Sequence, residues 1–134
     1  MARITIVDEN DKIIGYKERG TLSPDDIYRV SALWLTNSNG EILIAQRSFN
    51  KSHNPGQWGT AVAGTVDEDE DYYENIIKES KEEIGLKNFE PKKGPYGRNK
   101  GEYNYFYQWY LYETDMDIED FEIDKKEVEA VRWV

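Results

Sequence analysis

The chain has 134 residues, the length of one domain with one core. Its 27 Asp and Glu outweigh 17 Lys and Arg for a net charge of −10, which argues against nucleic acid as a partner, because neutralising phosphates needs a basic surface. With no cysteine and one histidine, His53, it has no disulfide framework, no thiolate nucleophile and no zinc site built on sulfur or several imidazoles.

In chain order, Arg3 to Asp8 alternates Ile4 and Ile6 with polar neighbours, Asn10-Asp11 supplies turn chemistry, and Ile13 to Glu18 resumes an extended pattern, which predicts an N-terminal hairpin. Gly20 to Asp26 breaks the chain. Ile27 to Thr36 and Glu41 to Arg47 are apolar runs either side of Asn37-Ser38-Asn39-Gly40 and predict a second hairpin. Ser48 to Trp58 is a polar loop, and the small residues of Gly59 to Val66 suit a short buried strand. Asp69 to Ile84 is the one strong helix, acidic in its first turn and followed by Gly85 as a stop. The prolines, glycines and basic residues of Lys87 to Gly101 predict a loop. Tyr103 to Glu113 is an aromatic strand, and a last strand falls at Ala130 to Val134. Strands on both sides of one helix predict an α/β layered domain over residues 1–134, with no repeat or linker. No apolar run reaches the roughly 20 residues of a membrane span and the N-terminus has no signal-peptide pattern, so a cytoplasmic protein without a membrane partner is the expectation.

The helix has two faces. On a wheel of about 100° per residue with Glu79 at zero, Glu83 falls at about 40° and Glu82 at about 300°, while Tyr73, Ile76, Ile77, Ser80 and Ile84 lie between about 60° and 160°. Three carboxylates on one edge repel each other, and a hard divalent cation held by oxygens relieves this. The competing reading is a solvated acidic face in an acidic chain. Between Ile42 and Val66, however, there is no acid, while Arg47, Lys51 and His53 precede the acidic helix. A basic island beside carboxylates suits a metal-bound anion, with Arg47 and Lys51 clamping phosphate oxygens. Trp58 is the first aromatic to consider as a stacking partner. The basic run Lys92, Lys93, Arg98 and Lys100, with Tyr96, reads either as a lid over the substrate or as a solubilising loop. Glu102, Glu127 and Glu129 are further acids that any fold could bring to the site.

From Gly64 the spacing closely resembles the Nudix box, G-x5-E-x7-R-E-U-x-E-E-x-G-U with U aliphatic, matching at Gly64, Glu70, Glu79, Glu82, Glu83, Gly85 and Leu86. Such a match arises by chance on the order of once in 10⁵ chains of this composition. Lys78 stands for the arginine and Ser80 for the aliphatic residue. Val7-Asp8-Glu9-Asn10, Ile14-Gly15, Arg47-Ser48, Lys51 and Pro55-Gly56-Gln57-Trp58 are similar to the branch related to isopentenyl-diphosphate isomerase, so the resemblance runs from about Ile4 to Val134.

The resemblance implies a Nudix-like α/β/α layered fold, a central mixed sheet with a catalytic loop-helix-loop. It also implies Mg²⁺ or Mn²⁺ as cofactor and hydrolysis of a nucleoside diphosphate linked to another moiety, or of a similar diphosphate metabolite. Glu79, Glu82 and Glu83 match the metal-binding and catalytic carboxylates, with the Gly64 carbonyl as a further ligand. One glutamate serves as general base, Glu82 being favoured. Glu70 matches the residue that steadies the loop-helix junction, Gly85 ends the helix, and Lys78 orients neighbouring carboxylates less rigidly than a planar guanidinium. The Ser80 hydroxyl is expected to bond back to the preceding turn. Many relatives continue into another helix after the strand that here ends at Val131-Arg132-Trp133-Val134. Isomerase chemistry calls for a cysteine before the opening glycine and for histidine ligands, whereas this chain has Ala63, Thr65 and Tyr28 at the corresponding places. A non-catalytic nucleotide or metabolite sensor on the same fold is the third reading. A homodimer is the expectation for exposed strand edges.

Overall fold

The structure, a computed structural model, describes residues 3–134. The N-terminal hairpin forms as the alternation predicts: β1 (Ile4–Val7) pairs antiparallel with β2 (Ile13–Lys17), and the Asp8 side chain closes the turn by accepting from the backbone N–H groups of Asn10 and Lys12. β3 (Ile27–Thr36) is the central strand. It pairs with β1 and β6 (Val62–Thr65) along one edge and runs parallel to β8 (Tyr105–Glu113) along the other. With β7 (Lys92–Asn99) beyond β8, these strands make a six-stranded mixed sheet. A three-stranded antiparallel sheet holds β4 (Leu43–Arg47) between β5 (Trp58–Thr60) and β9 (Val128–Trp133).

Three sequence expectations change. The predicted second hairpin is a corner: Asn37 closes the turn through backbone and side chain, but only Thr36 and Ile42 bridge before β3 and β4 part into different sheets. Both edges of β3 are taken by β1, β6 and β8, so β4 has nowhere to pair with it. The single strand expected over Gly59 to Val66 is two, because the chain passes from one sheet to the other at the buried Ala61. The segment expected to be a loop, Lys87 to Gly101, contains β7. An edge strand tolerates proline, and a register shift accommodates Gly94-Pro95. Its glycines make room for the aromatic strand, since a Cβ on Gly97 would sit 2.6 Å from Tyr107 Cζ and one on Gly94 3.1 Å from Leu111.

The helix, α1 (Tyr72–Ile84), begins at a capping box in which Asp71 accepts from the Glu74 N–H and Glu74 from the Asp71 N–H. It ends where Gly85 takes the left-handed conformation, φ 71°, and donates to the Lys81 carbonyl. Ile76 and Ile84 pack against Leu33, Leu35, Val62 and Tyr110 of the mixed sheet, and the same core takes in Leu43, Val131 and Trp133 of the smaller sheet. The α/β layered class therefore holds, with a central mixed sheet. It carries one α-helix among the described residues, so the second helical layer is not among them, and on the sheet's far face Trp34 and Leu111 stay 44% and 39% exposed.

Ser80 also departs from expectation. It is fully buried and its hydroxyl has no hydrogen-bond partner, so it does not bond back to the preceding turn. A buried unsatisfied hydroxyl is costly, and alanine is the better helix former. Ser80→Ala is expected to stabilise the protein by about 1 kcal/mol, raising the melting temperature by roughly 4 °C in calorimetry. A lower melting temperature would show that the hydroxyl is satisfied.

Candidate active site

One cavity of about 760 Å³ opens along the acidic edge of α1. Glu79, Glu82 and Glu83 line it, as the wheel requires, together with Ala63, Gly64 and Thr65 of β6. Gly64 is glycine for a steric reason: a Cβ there would lie 2.6 Å from Glu79 Cγ, so only a bare backbone lets the Glu79 side chain lie against the strand.

The loop that leads into the helix is tied by a polar network. The Glu70 carboxylate accepts from the Asp67 N–H at 2.8 Å and from Asn75 Nδ2 at 2.6 Å, and buried Asn75 also bonds the Thr65 carbonyl and the Ser31 hydroxyl. Glu70 thus steadies the loop-helix junction. Lys78 reaches Asp67 at 3.0 Å, Glu70 at 3.1 Å and Glu79 at 3.7 Å. Desolvation works against its charge, but the hydrogen bonds to Asp67 and Glu70 outweigh it and hold the ammonium above its ordinary range. Lys78 therefore acts as a three-way tie between the box loop and the first of the glutamates.

The sequence-predicted cations are at the site, with their donors partly spent. Arg47 lines the cavity and gives its Nε to the His53 carbonyl at 2.9 Å. Lys51 lines it too but is paired with Glu127 at 2.5 Å. Trp58 does not line the main cavity. It belongs to an adjoining pocket of about 260 Å³ that shares Arg47, Ala63 and Glu83 with the first, and the Arg132 guanidinium sits 4.7 Å from its ring centre. Of the two readings of the basic run, the lid is not supported: Lys92, Lys93, Tyr96, Arg98 and Lys100 are held on or beside the edge strand β7, and none of them lines the cavity.

Of the three outlying acids, Glu127 enters the cavity, while Glu129 lies beside Lys125 and Glu102 sits in an exposed bend. Two charged lining residues had no signal in the sequence. Asp124 arrives because its N–H donates to the Glu83 carbonyl, docking that turn on the end of α1, and the Glu127 carbonyl accepts from the Ser48 N–H. Arg19 comes from the segment after β2 and pairs with Asp67 at 3.2 Å.

Electrostatically the site is frustrated. Burial, a hydrogen bond with Glu79, and the charges of Glu79 and Glu127 push the Glu83 carboxyl up to about 10, against the opposing pull of Lys51. Among the described residues no three acidic or imidazole groups are closed into a ligand cluster. The donor set is nonetheless all oxygen, and Glu79 and Glu83 line the same cavity, where two like charges meet. A hard divalent cation suits such a donor set, with Glu79, Glu83 and the Gly64 carbonyl as the groups that would hold it and Glu82 beside them on the same edge.

The fold and the box geometry agree with the family comparison, in which the NUDIX domain model matches residues 27–134. The chain belongs to the Nudix family. It is 32% identical over 95 residues to isopentenyl-diphosphate Delta-isomerase 1 of Photorhabdus laumondii, covering 69% of this chain and 54% of that protein. It is 33% identical over 85 residues to the uncharacterized Nudix hydrolase PA4841 of Pseudomonas aeruginosa, covering 63% of this chain and 50% of that one. The chain thus spans about half the length of these curated relatives. The crystal structure of DR0079 from Deinococcus radiodurans superposes with a TM-score of 0.82 over 98% of this chain and 82% of that one, at 24% identity, a likeness of fold.

A carboxyl with a raised folded-state pKa holds its proton more tightly when folded. Its contribution to stability is complete below the ordinary value of 4.5 and is lost as pH rises toward about 10. Without added metal, Glu83→Gln is therefore expected to melt higher than wild type by roughly 5 °C at alkaline pH, with the gap closing as pH falls toward the ordinary carboxyl range. Parallel melting curves across pH would contradict this.

Proposed function

We propose that this Nudix protein is a divalent-metal-dependent hydrolase. Its substrate is a nucleoside diphosphate linked to another moiety, or a similar diphosphate metabolite, and the bond broken is in the pyrophosphate. The observation that supports this most directly is the meeting, in one cavity, of the Glu79, Glu82 and Glu83 edge with the Arg47 guanidinium. A bound Mg²⁺ or Mn²⁺ supplies charge neutralisation on the phosphate oxygens and acidifies the attacking water. The chain's own residues do the rest. Arg47 keeps its terminal donors for a phosphate, since only its Nε is given to His53. Glu82, exposed at the edge of the helix, accepts the proton of the water as its oxygen attacks one phosphorus and the bridging P–O bond breaks, leaving two phosphate-bearing products. Lys78 holds Glu79 in place through its tie to Asp67 and Glu70. The pocket containing Trp58 offers room for part of the group beyond the diphosphate.

Isomerisation is disfavoured by the residues themselves. Ala63, which lines the cavity immediately before Gly64, has no thiol, and neither Thr65 nor Tyr28 is an imidazole ligand. The discriminating experiment measures Mg²⁺-dependent release of phosphate-bearing products from a panel of nucleoside diphosphate conjugates for wild type and Glu83→Gln. Wild type is expected to turn over at least one, with the variant slower by on the order of 10²-fold or more. Equal release by both would overturn the hydrolase reading. Tight binding without turnover in wild type would mark a sensor.

A further inference from the structure

Lys78 is the one charged position of the Nudix box at which this chain departs from the motif, and a lysine cannot do an arginine's work unaided. A guanidinium spreads five donors over a plane and can grip one carboxylate with two of them while reaching a second. An ammonium is a compact point charge that goes to whichever acceptor holds it best. Here it has three acidic neighbours. It lies 3.0 Å from Asp67 Oδ2, 3.1 Å from Glu70 Oε2 and 3.7 Å from Glu79 Oε1, the last too long for a hydrogen bond. Lys78 therefore attracts Glu79 without bonding to it.

Asp67 decides that balance. Glu70 is the poorer holder, since its Oε1 already accepts from the Asp67 N–H at 2.8 Å and from Asn75 Nδ2 at 2.6 Å. Asp67 offers the shortest contact, and against desolvation its hydrogen bond is the largest of the effects that keep the ammonium charged. Nor does the loop need the Asp67 carboxylate for its shape. Its ties there run through backbone: the Asp67 N–H donates to Glu70, the carbonyl accepts from Thr5 Oγ1 at 3.0 Å and from the Glu70 N–H at 3.3 Å, and Ile4 bridges the residue. An asparagine would keep all of these. The other side-chain partner, Arg19 at 3.2 Å, is 60% exposed, and exposed pairs contribute little to stability.

We propose that Asp67 is a positioning residue that draws the Lys78 ammonium toward itself and off Glu79, so that Glu79 stays open to a divalent cation. Asp67 and Lys78 together then stand in for the arginine of the box. Without the Asp67 charge, Glu79 is the acceptor with room for the ammonium, and a charge-assisted hydrogen bond there competes with the metal for the same oxygens. A guanidinium at this position holds Glu70 with its fork and needs no third acid, so the dependence on Asp67 is specific to lysine. The proposal rests on the metal-dependent reading of the site and names the residue that keeps one of its ligands free.

The test is Mn²⁺ titration of the full chain without substrate, read by the electron paramagnetic resonance of the free ion. Wild type, Asp67→Asn, Lys78→Arg and the double variant are compared, beside melting curves without metal. Asp67→Asn is expected to weaken Mn²⁺ binding roughly 10-fold while lowering the melting temperature by less than about 4 °C. In the Lys78→Arg background the same substitution is expected to cost less than about 2-fold. An equal loss in both backgrounds would overturn the proposal, since it would mark a missing charge acting through space, and so would unchanged Mn²⁺ affinity in Asp67→Asn. A melting temperature lowered by about 10 °C or more, in both backgrounds alike, would make Asp67 a brace for the loop and overturn it as well. If wild type itself binds no Mn²⁺, the metal-dependent reading fails and takes the proposal with it.

Discussion

Like charges forced together govern this molecule. Glu79 and Glu83 project from successive turns of α1 into a partly buried space, and Gly64 leaves room for Glu79 by having no side chain. Two carboxylates there repel, and burial beside Glu79 raises the Glu83 carboxyl well above its ordinary range. Much of the surrounding structure steadies that arrangement. The capping box and the left-handed Gly85 fix where the helix begins and ends. Lys78 bridges three acids, and Glu70, Asn75 and Ser31 run a hydrogen-bonded line from the box loop into the core. A site that is destabilising in the apo chain and compatible with a hard cation is one in which binding energy and function share an origin.

The helix and its acidic edge were readable in the sequence because they are local. The spacing of Glu79, Glu82 and Glu83 sets their common edge whatever the tertiary fold, and Gly64 and Gly85 answer to backbone constraints a few residues away. The aromatic strand and the N-terminal hairpin were legible for the same reason. What was hidden depends on partners distant in the chain. β7 reads as a loop by its prolines and glycines, and becomes a strand because Tyr107 and Leu111 of β8 need the space those glycines leave. β3 and β4 have a hairpin's sequence but separate because three other strands hold β3. Ser80 could not be known to lack a partner without the packing around it.

The cavity shows the same division. The sequence named Arg47 and Lys51 from composition, yet it could not tell that Glu127 would claim the lysine and leave the arginine available. Asp124 and Arg19 carried no signal, since one arrives by docking on the end of α1 and the other by pairing of β1 with the box loop. The basic run, open to reading as a lid or as a solubilising loop, is the edge of a sheet, where lysines and a proline discourage pairing with another chain.

The account turns on whether the acidic edge of α1 gathers round a single cation. Anomalous diffraction from crystals grown with Mn²⁺ answers this directly. The account predicts a strong peak within ligand distance of Glu79, Glu83 and the Gly64 carbonyl, absent from Glu83→Gln crystals prepared alike. A map with no peak along that edge, in crystals where the glutamates are well ordered, would contradict it.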